Sequence, residues 1–219
     1  MEIKVSLYKK FRGFQLAVNA SFSLPALFLG PNGSGKSTAL KCIAGLYTCG
    51  GKVELDGRAA GGDSFLYVPP APRIPPTLTV EEYLAHVSEI FGVDVKPALG
   101  VDKFLKKRGS ELSSGMAARA VLAAALSTDR ILLLDEPLSY LESDVRIELV
   151  KALKGRAFIA ATHDPGPFLP LRPSVVAISE GRSVRVGSWE EVAGWLIRDC
   201  GGDFCVEKVK APSLAGYGL

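Results

Sequence analysis

Charge of one sign, closely paired cysteines and long apolar runs are all scarce in this 219-residue chain. Lys and Arg number 26 against 23 Asp and Glu, a net charge of +3. That is too small to point to a nucleic-acid partner. No unbroken apolar run is long enough to span a bilayer, so a membrane role calls for a separate partner chain. No secretory leader stands out, because Met1 to Ser6 already alternates like a strand. The chain is expected to stay in the cytosol. Its cysteines, Cys42, Cys49, Cys200 and Cys205, form no C-x-x-C pair and lack metal-ligand spacing. Cys42 reads as a small core residue. Cys200 and Cys205, in a glycine-containing tail, read as unpaired thiols of a reducing compartment. There is no internal repeat.

What the chain does have is 47% hydrophobic residues, enough for one sizeable core. It also carries Gly30-Pro31-Asn32-Gly33-Ser34-Gly35-Lys36-Ser37-Thr38. This stretch fits G-x-x-x-x-G-K-[ST], a loop whose backbone N–H groups cradle phosphates. Its glycines reach the φ values that let the backbone curl around an anion. Lys36 suits the β- and γ-phosphates, and the Ser37 hydroxyl suits Mg²⁺. Ala26 to Leu29 reads as a buried strand before the loop. Leu40, Ile43 and Ala44 lie on one face of a helix after it. The phosphates are therefore expected at a helix N-terminus.

The rest of the chain alternates strands and helices. Ile3, Val5 and Leu7, then Phe14 to Phe22, predict an antiparallel hairpin around a polar turn at Lys9 to Gly13. Further strands are expected at Val53–Leu55, Phe65–Val68, Ile131–Leu134, Phe158–Ala161, Val175–Ile178 and Val184–Val186. Pro69 to Pro76 holds five prolines in eight residues, which predicts a stiff extended connector. Thr79 and Glu82 form a capping box for a helix whose apolar face is Val80, Tyr83, Leu84, Val87, Ile90 and Phe91. Asp94 to Ser110 is irregular or short helix, and its basic run Lys106–Arg108 reads as a solvated face. Small apolar residues predict a well-buried helix over 114–126 and a further helix follows over 144–153. Ser188 and Glu191 box the start of a last one. This alternation implies an α/β fold with a mostly parallel sheet covered on both faces. Ligands in such folds bind beyond the C-terminal strand ends, where the phosphate loop, Asp135-Glu136 and His163 all fall.

Asp135 follows four apolar residues, as a Mg²⁺-holding carboxylate does in phosphate-loop proteins. Glu136 beside it can deprotonate an attacking water. Together with Glu111-Leu112-Ser113-Ser114-Gly115-Met116 opening a helix, and Ala161-Thr162-His163-Asp164 after a strand, these motifs resemble the ATP-binding subunit of ABC transporters over about residues 1–198. Leu112 to Met116 resembles the family's LSGGQ signature, with Ser114 and Met116 as departures.

The resemblance implies a P-loop NTPase core of mostly parallel sheet, over 1–76 and 129–198. It adds an N-terminal antiparallel β subdomain, an inserted helical subdomain over 77–128 and a tail over 199–219. Gly30 to Thr38 then hold ATP, with Ser37 and Asp135 on Mg²⁺. Glu136 becomes the general base, His163 senses the γ-phosphate, and Lys36 contacts it. Ser113 and Gly115 bind the ATP of an opposite subunit, in a homodimer or heterodimer with two ATP at the interface. Glu142 stands where the family usually has aspartate. Phe11 is the choice for stacking on adenine, with Tyr8 and Phe14 as alternatives. A membrane-spanning transporter subunit is the expected partner, placing the chain on the inner face of the cell membrane. The alternative is a soluble ABC-type ATPase serving an assembly or remodelling process. Two departures stand out: Pro70 replaces a family glutamine, and prolines between 165 and 173 replace a helix.

Overall fold

The computed structural model describes residues 1–193. Cys200, Cys205 and the tail over 199–219 lie outside them. The first strands, β1 (Glu2–Phe11) and β2 (Phe14–Ser23), form an antiparallel hairpin in which Phe11 pairs with Phe14. The strand runs through Lys9–Phe11, where the sequence pattern placed the turn. Gly13 is the reason: its φ of 82° closes the hairpin in two residues. Next come β3 (Ala26–Leu29), α1 (Lys36–Ile43), β4 (Gly50–Leu55), β5 (Arg58–Ala59) and β6 (Phe65–Val68). Then follow α2 (Val80–Phe91), α3 (Ser114–Leu126), β7 (Ile131–Asp135) and α4 (Ser143–Ala152). The described chain closes with β8 (Phe158–Ala161), β9 (Ser174–Ser179) and β10 (Arg182–Gly187), then a helix from 189. Ser188 and Glu191 make the capping contacts of that helix.

All ten strands join one sheet in the order β5-β4-β1-β2-β10-β9-β3-β8-β7-β6. The run from β9 to β6 is parallel. The run from β5 to β2 is antiparallel. They meet where β10, antiparallel to β9, pairs in parallel with β2 at Arg182 and Ala17. Side chains alternate across the parallel strands, as strand geometry requires. Phe28, Leu133, Ile159 and Val176 pack with α1 and the first hairpin. Leu27, Leu132, Leu134, Ala160 and Val175 pack under α3 and α4.

The alanine-rich α3 serves two clusters. Ala118, Leu122 and Ala125 face the sheet. Ala120, Ala123 and Ala124 face a separate cluster with Val80 and Leu84 of α2, Ile74, Val101 and Phe104. A helix buried on most of its surface needs small residues on both sides. The Thr79–Glu82 capping box is formed in full. Ile90 departs from the expected apolar stripe and is 74% exposed. At 100° per residue it sits about 80° from the stripe's centre, at the edge of the apolar face. Within the basic run, Lys106 pairs with Glu81 and Arg108 donates to the Thr77 carbonyl at 3.0 Å. Pro69 to Pro75 contains neither helix nor strand, and Ile74 anchors it in the α2–α3 cluster. The proline-rich segment after β8 forms a 3₁₀ helix over Gly166–Leu171.

Cys42 is buried, as its pattern implied. It is also bonded to Cys49 in a disulfide with Cα atoms 5.7 Å apart. The spacing of seven residues gave no hint of this; the chain turns back after α1 through the left-handed Gly45. Among the described residues, no helix is long and apolar enough to cross a membrane.

Two turn glycines separate backbone strain from steric contact. Gly13 has nothing within 4 Å of an added Cβ, whereas at Gly181, with φ 79°, a Cβ falls 2.0 Å from the Gln15 carbonyl oxygen. Gly13→Ala should cost about 1–2 kcal/mol, the left-handed penalty alone. Gly181→Ala should cost more, because the β9–β10 turn must leave β2. Urea unfolding measures both, and equal losses would mean that this contact yields freely.

Candidate active site

The phosphate loop runs from the end of β3 to the start of α1. It is wedged against the β9–β10 turn. A Cβ on Gly30 would meet the Ile178 carbonyl oxygen at 2.0 Å, and one on Gly35 would meet the Phe14 ring at 2.9 Å. The Gly181 N–H donates to the Ser34 carbonyl at 2.8 Å. With its outer side fixed this way, the loop presents the N-terminus of α1 inward. No backbone carbonyl among the described residues accepts from the N–H groups of Gly35, Lys36, Ser37 or Thr38. These are the free donors of a helix start. The Ser34 hydroxyl is buried and has no partner. Lys36 donates to the carbonyls of Gly30 and Pro31 at 2.8 and 2.9 Å. Burial pushes its ammonium below the ordinary lysine value, while Glu136 and Asp135 pull it back up. Such a lysine gains from an anion placed beside it.

Three strand ends are stitched together around the loop. The Glu136 N–H donates to the Ala161 carbonyl at 2.8 Å, and the Thr162 N–H to the Phe28 carbonyl at 3.2 Å. This brings Asp135, Glu136 and His163 to the rim of the phosphate loop. Asp135 is 1% exposed. It accepts from the Ser37 hydroxyl at 2.9 Å through Oδ1 and from the Tyr67 hydroxyl at 2.8 Å through Oδ2. Glu136 takes a left-handed φ of 49°, a strained backbone for a side chain of this size. Its Oε2 lies 2.8 Å from His163 Nδ1. An ionised carboxylate only accepts, so Nδ1 carries the proton in this pair and Nε2 is left to face outward.

The donor set fits one Mg²⁺ brought in with a nucleotide. The ion typically takes one or two carboxylates, a hydroxyl, substrate phosphates and waters; Ser37 and Asp135 supply the hydroxyl and the carboxylate. Among the described residues no group of three His, Cys, Asp or Glu side chains stands ready for a metal, so phosphate oxygens are needed to complete the shell.

Phe11 lies on the sheet face that carries α1, with its ring 6.0 Å from Phe14 and 6.0 Å edge-on from Tyr47. Tyr8, one of the alternatives, points to the opposite face and is 49% exposed. Phe14 is under Gly35 and packed on the core, and Phe11, half-buried, has the Lys9 ammonium 5.4 Å from its ring centre. Ser113 and Gly115 do not join the cluster. Ser113 caps α3 by accepting from the Met116 N–H at 3.2 Å. A Cβ on Gly115 would come within 2.8 Å of the Tyr140 carbonyl oxygen. Both therefore also have partners in their own chain. The pattern of residues missed Tyr67 and Tyr47. Tyr67 was legible only as one residue of an apolar strand, and its role depends on pairing with β7.

Free helix amides, a buried lysine and a hydroxyl hydrogen-bonded to a carboxylate lie together at the ends of parallel strands, an arrangement whose chemistry suits a polyphosphate grip. The fold and this grip define a P-loop nucleotide-binding protein. The sequence pattern of the ABC transporter family matches residues 21–139, and the chain belongs to that family. An energy-coupling factor transporter ATP-binding protein of Thermotoga maritima is 34% identical over 200 residues, spanning 80% of this chain and 76% of that protein. An sn-glycerol-3-phosphate import ATP-binding protein of Rhizobium johnstonii is 31% identical over 76% of this chain and 51% of its own length. A spermidine/putrescine import ATP-binding protein of Thermotoga maritima is 32% identical, with 57% of its length covered. The chain thus spans little more than half of these last two relatives. The solved structure of an ATP-binding subunit of an ABC transporter superposes with a TM-score of 0.79 at 20% identity, over 93% of this chain and 96% of that one. A dimeric ATP-binding cassette in a post-hydrolysis state with ADP and Pi gives 0.68 at 20% identity, over 86% and 98%. At this identity the two show the shared fold.

Lys36→Ala removes the charged member of the grip. It should raise the Kd for ATP by about 10-fold or more, the worth of hydrogen bonds to a charged group. Isothermal titration calorimetry reads this directly, and a Kd within twofold of the unaltered protein would take Lys36 out of the phosphate site.

Proposed function

We propose that this chain binds ATP with Mg²⁺, hydrolyses it, and powers transport through a separate membrane-spanning subunit. The observation that carries the reading is Glu136, held beside the buried Asp135 and hydrogen-bonded to His163 at 2.8 Å. The membrane part of the proposal draws support from relatives named as import and energy-coupling ATP-binding proteins.

In this reading Lys36 leaves the Gly30 and Pro31 carbonyls for the β- and γ-phosphates, while the first-turn amides of α1 and the loop residues Gly30 to Thr38 cradle them. Ser37 and Asp135 hold Mg²⁺, which when bound offsets charge on the phosphate oxygens. Glu136 takes a proton from a water in line with the γ-phosphate. His163 keeps Glu136 oriented through Nδ1 and presents Nε2 to the γ-phosphate. Phe11 stacks on adenine. Ser113 and Gly115 meet the ATP of a second ABC ATPase subunit, identical or related, packed head-to-tail. The segment 77–128 forms the helical subdomain that meets the membrane subunit, and 1–76 with 129–198 forms the nucleotide core. The chain then works on the inner face of the cell membrane.

Glu136→Gln should keep ATP binding and lower turnover by roughly 10²–10⁴-fold, the usual worth of a general base. The stalled variant should run as a dimer on size-exclusion chromatography with MgATP. Unchanged turnover would remove Glu136 from the mechanism. Ser113→Ala should leave ATP binding to the monomer intact and abolish that dimer in the Glu136→Gln background. A weakened monomer Kd would refute the shared site. Co-purification from detergent-solubilised membranes with a polytopic partner tests the transport role, and recovery with a water-soluble partner alone would reassign it.

A further inference from the structure

The Asp135 carboxylate is buried, and among the described residues only two side chains hydrogen-bond to it: Ser37 on Oδ1 and Tyr67 on Oδ2. The Ser37 hydroxyl is itself committed to the metal in the reading above. Tyr67 is the support that remains when that happens. Its position follows from sheet register. Tyr67 pairs with Leu133 of β7, so Asp135, two residues on, projects from the same sheet face. The diagonal between such neighbours is within reach of a long side chain, and the phenol closes it at 2.8 Å. The Lys41 ammonium lies 5.9 Å from the centre of the same ring. The residues that follow β6, Pro69 and Pro70, have no side-chain donor.

We propose that Tyr67 is a positioning residue for the metal site: its hydroxyl holds Asp135 Oδ2 and thereby fixes the direction of Oδ1 toward Ser37 and the ion. The proposal rests on the MgATP reading of the site. It also gives the β6 end a second task. Tyr67 sits two residues before the proline connector, which is anchored by Ile74 among α2 and α3. A shift of that cluster therefore reaches the metal carboxylate through one strand end and one hydrogen bond.

The test uses the full chain with Mn²⁺ as the probe and a non-hydrolysable ATP analogue. Mn²⁺ binding is followed by electron paramagnetic resonance, analogue binding by calorimetry in EDTA, and folding by thermal unfolding. Tyr67→Phe keeps the ring and its Lys41 contact and deletes only the hydroxyl; Tyr67→Met deletes both. Both variants should hold Mn²⁺ about 10-fold more weakly, the usual lower bound for losing a hydrogen bond to a metal ligand. Analogue affinity in EDTA should not move. Three results overturn the proposal. The first is an unchanged Mn²⁺ affinity in both folded variants; the second is a loss in Tyr67→Met alone, which assigns the effect to the ring; the third is an equal fall of analogue affinity in EDTA, which assigns it to the phosphate loop. If the unaltered protein with the analogue holds no Mn²⁺, the MgATP reading falls as well, so the two failures are told apart.

Discussion

A buried carboxylate with no lysine or arginine bonded to it is the constraint on which this structure turns. Asp135 ends a fully buried strand, and among the described residues only hydroxyl groups bond to its side chain. Two neutral donors soften the cost of burying that charge, but they do not cancel it. Lys36, close enough for its titration to feel Asp135, gives its ammonium to backbone carbonyls. In the proposed MgATP reading, cation and anion are kept apart until phosphate and metal arrive together. Each would then find a partner already in place, which is the electrostatic meaning of preorganisation.

Holding that arrangement falls to backbone contacts that tolerate no side chain. The loop is pressed on the β9–β10 turn at Gly30, Gly35 and Gly181, and the strand ends are tied by single N–H to carbonyl bonds. The parallel strands carry the rim of Asp135, Glu136 and His163, while the β10–β2 join couples it to the antiparallel hairpin that bears Phe11. Phe11 and the phosphate loop, proposed for the base and the phosphates, therefore ride on different parts of one continuous sheet.

Much of this was legible in the chain because the signals were local. The phosphate loop, the Asp135-Glu136 pair and both capping boxes are short strings whose chemistry is set by neighbours three or four residues away, and the bounds of α3 followed from its alanines. The sheet's parallel half followed from alternating strands and helices. Features set by tertiary placement were not legible. The Tyr67–Asp135 bond depends on which strand lies beside β7 and in what register. The Cys42–Cys49 bond depends on how the chain returns after α1. Ile90 has the right spacing for a core face, yet it lies at the edge of that face and is exposed. The extent of β1 depended on one glycine dihedral.

The contact between Gly115 and the Tyr140 carbonyl has a thermodynamic corollary. Tyr140 lies on the same short turn that leaves Asp135 and Glu136, and the contact has no slack. A displacement of the N-terminus of α3 toward that turn would therefore press on the exit of β7. In the proposed function, a ligand on either side would bias the other, and linkage would make that bias mutual and equal in free energy. In a head-to-tail pair, each protomer would hear through its own α3 whether its neighbour's nucleotide is present. That route would run beside the one through the end of β6 and Tyr67.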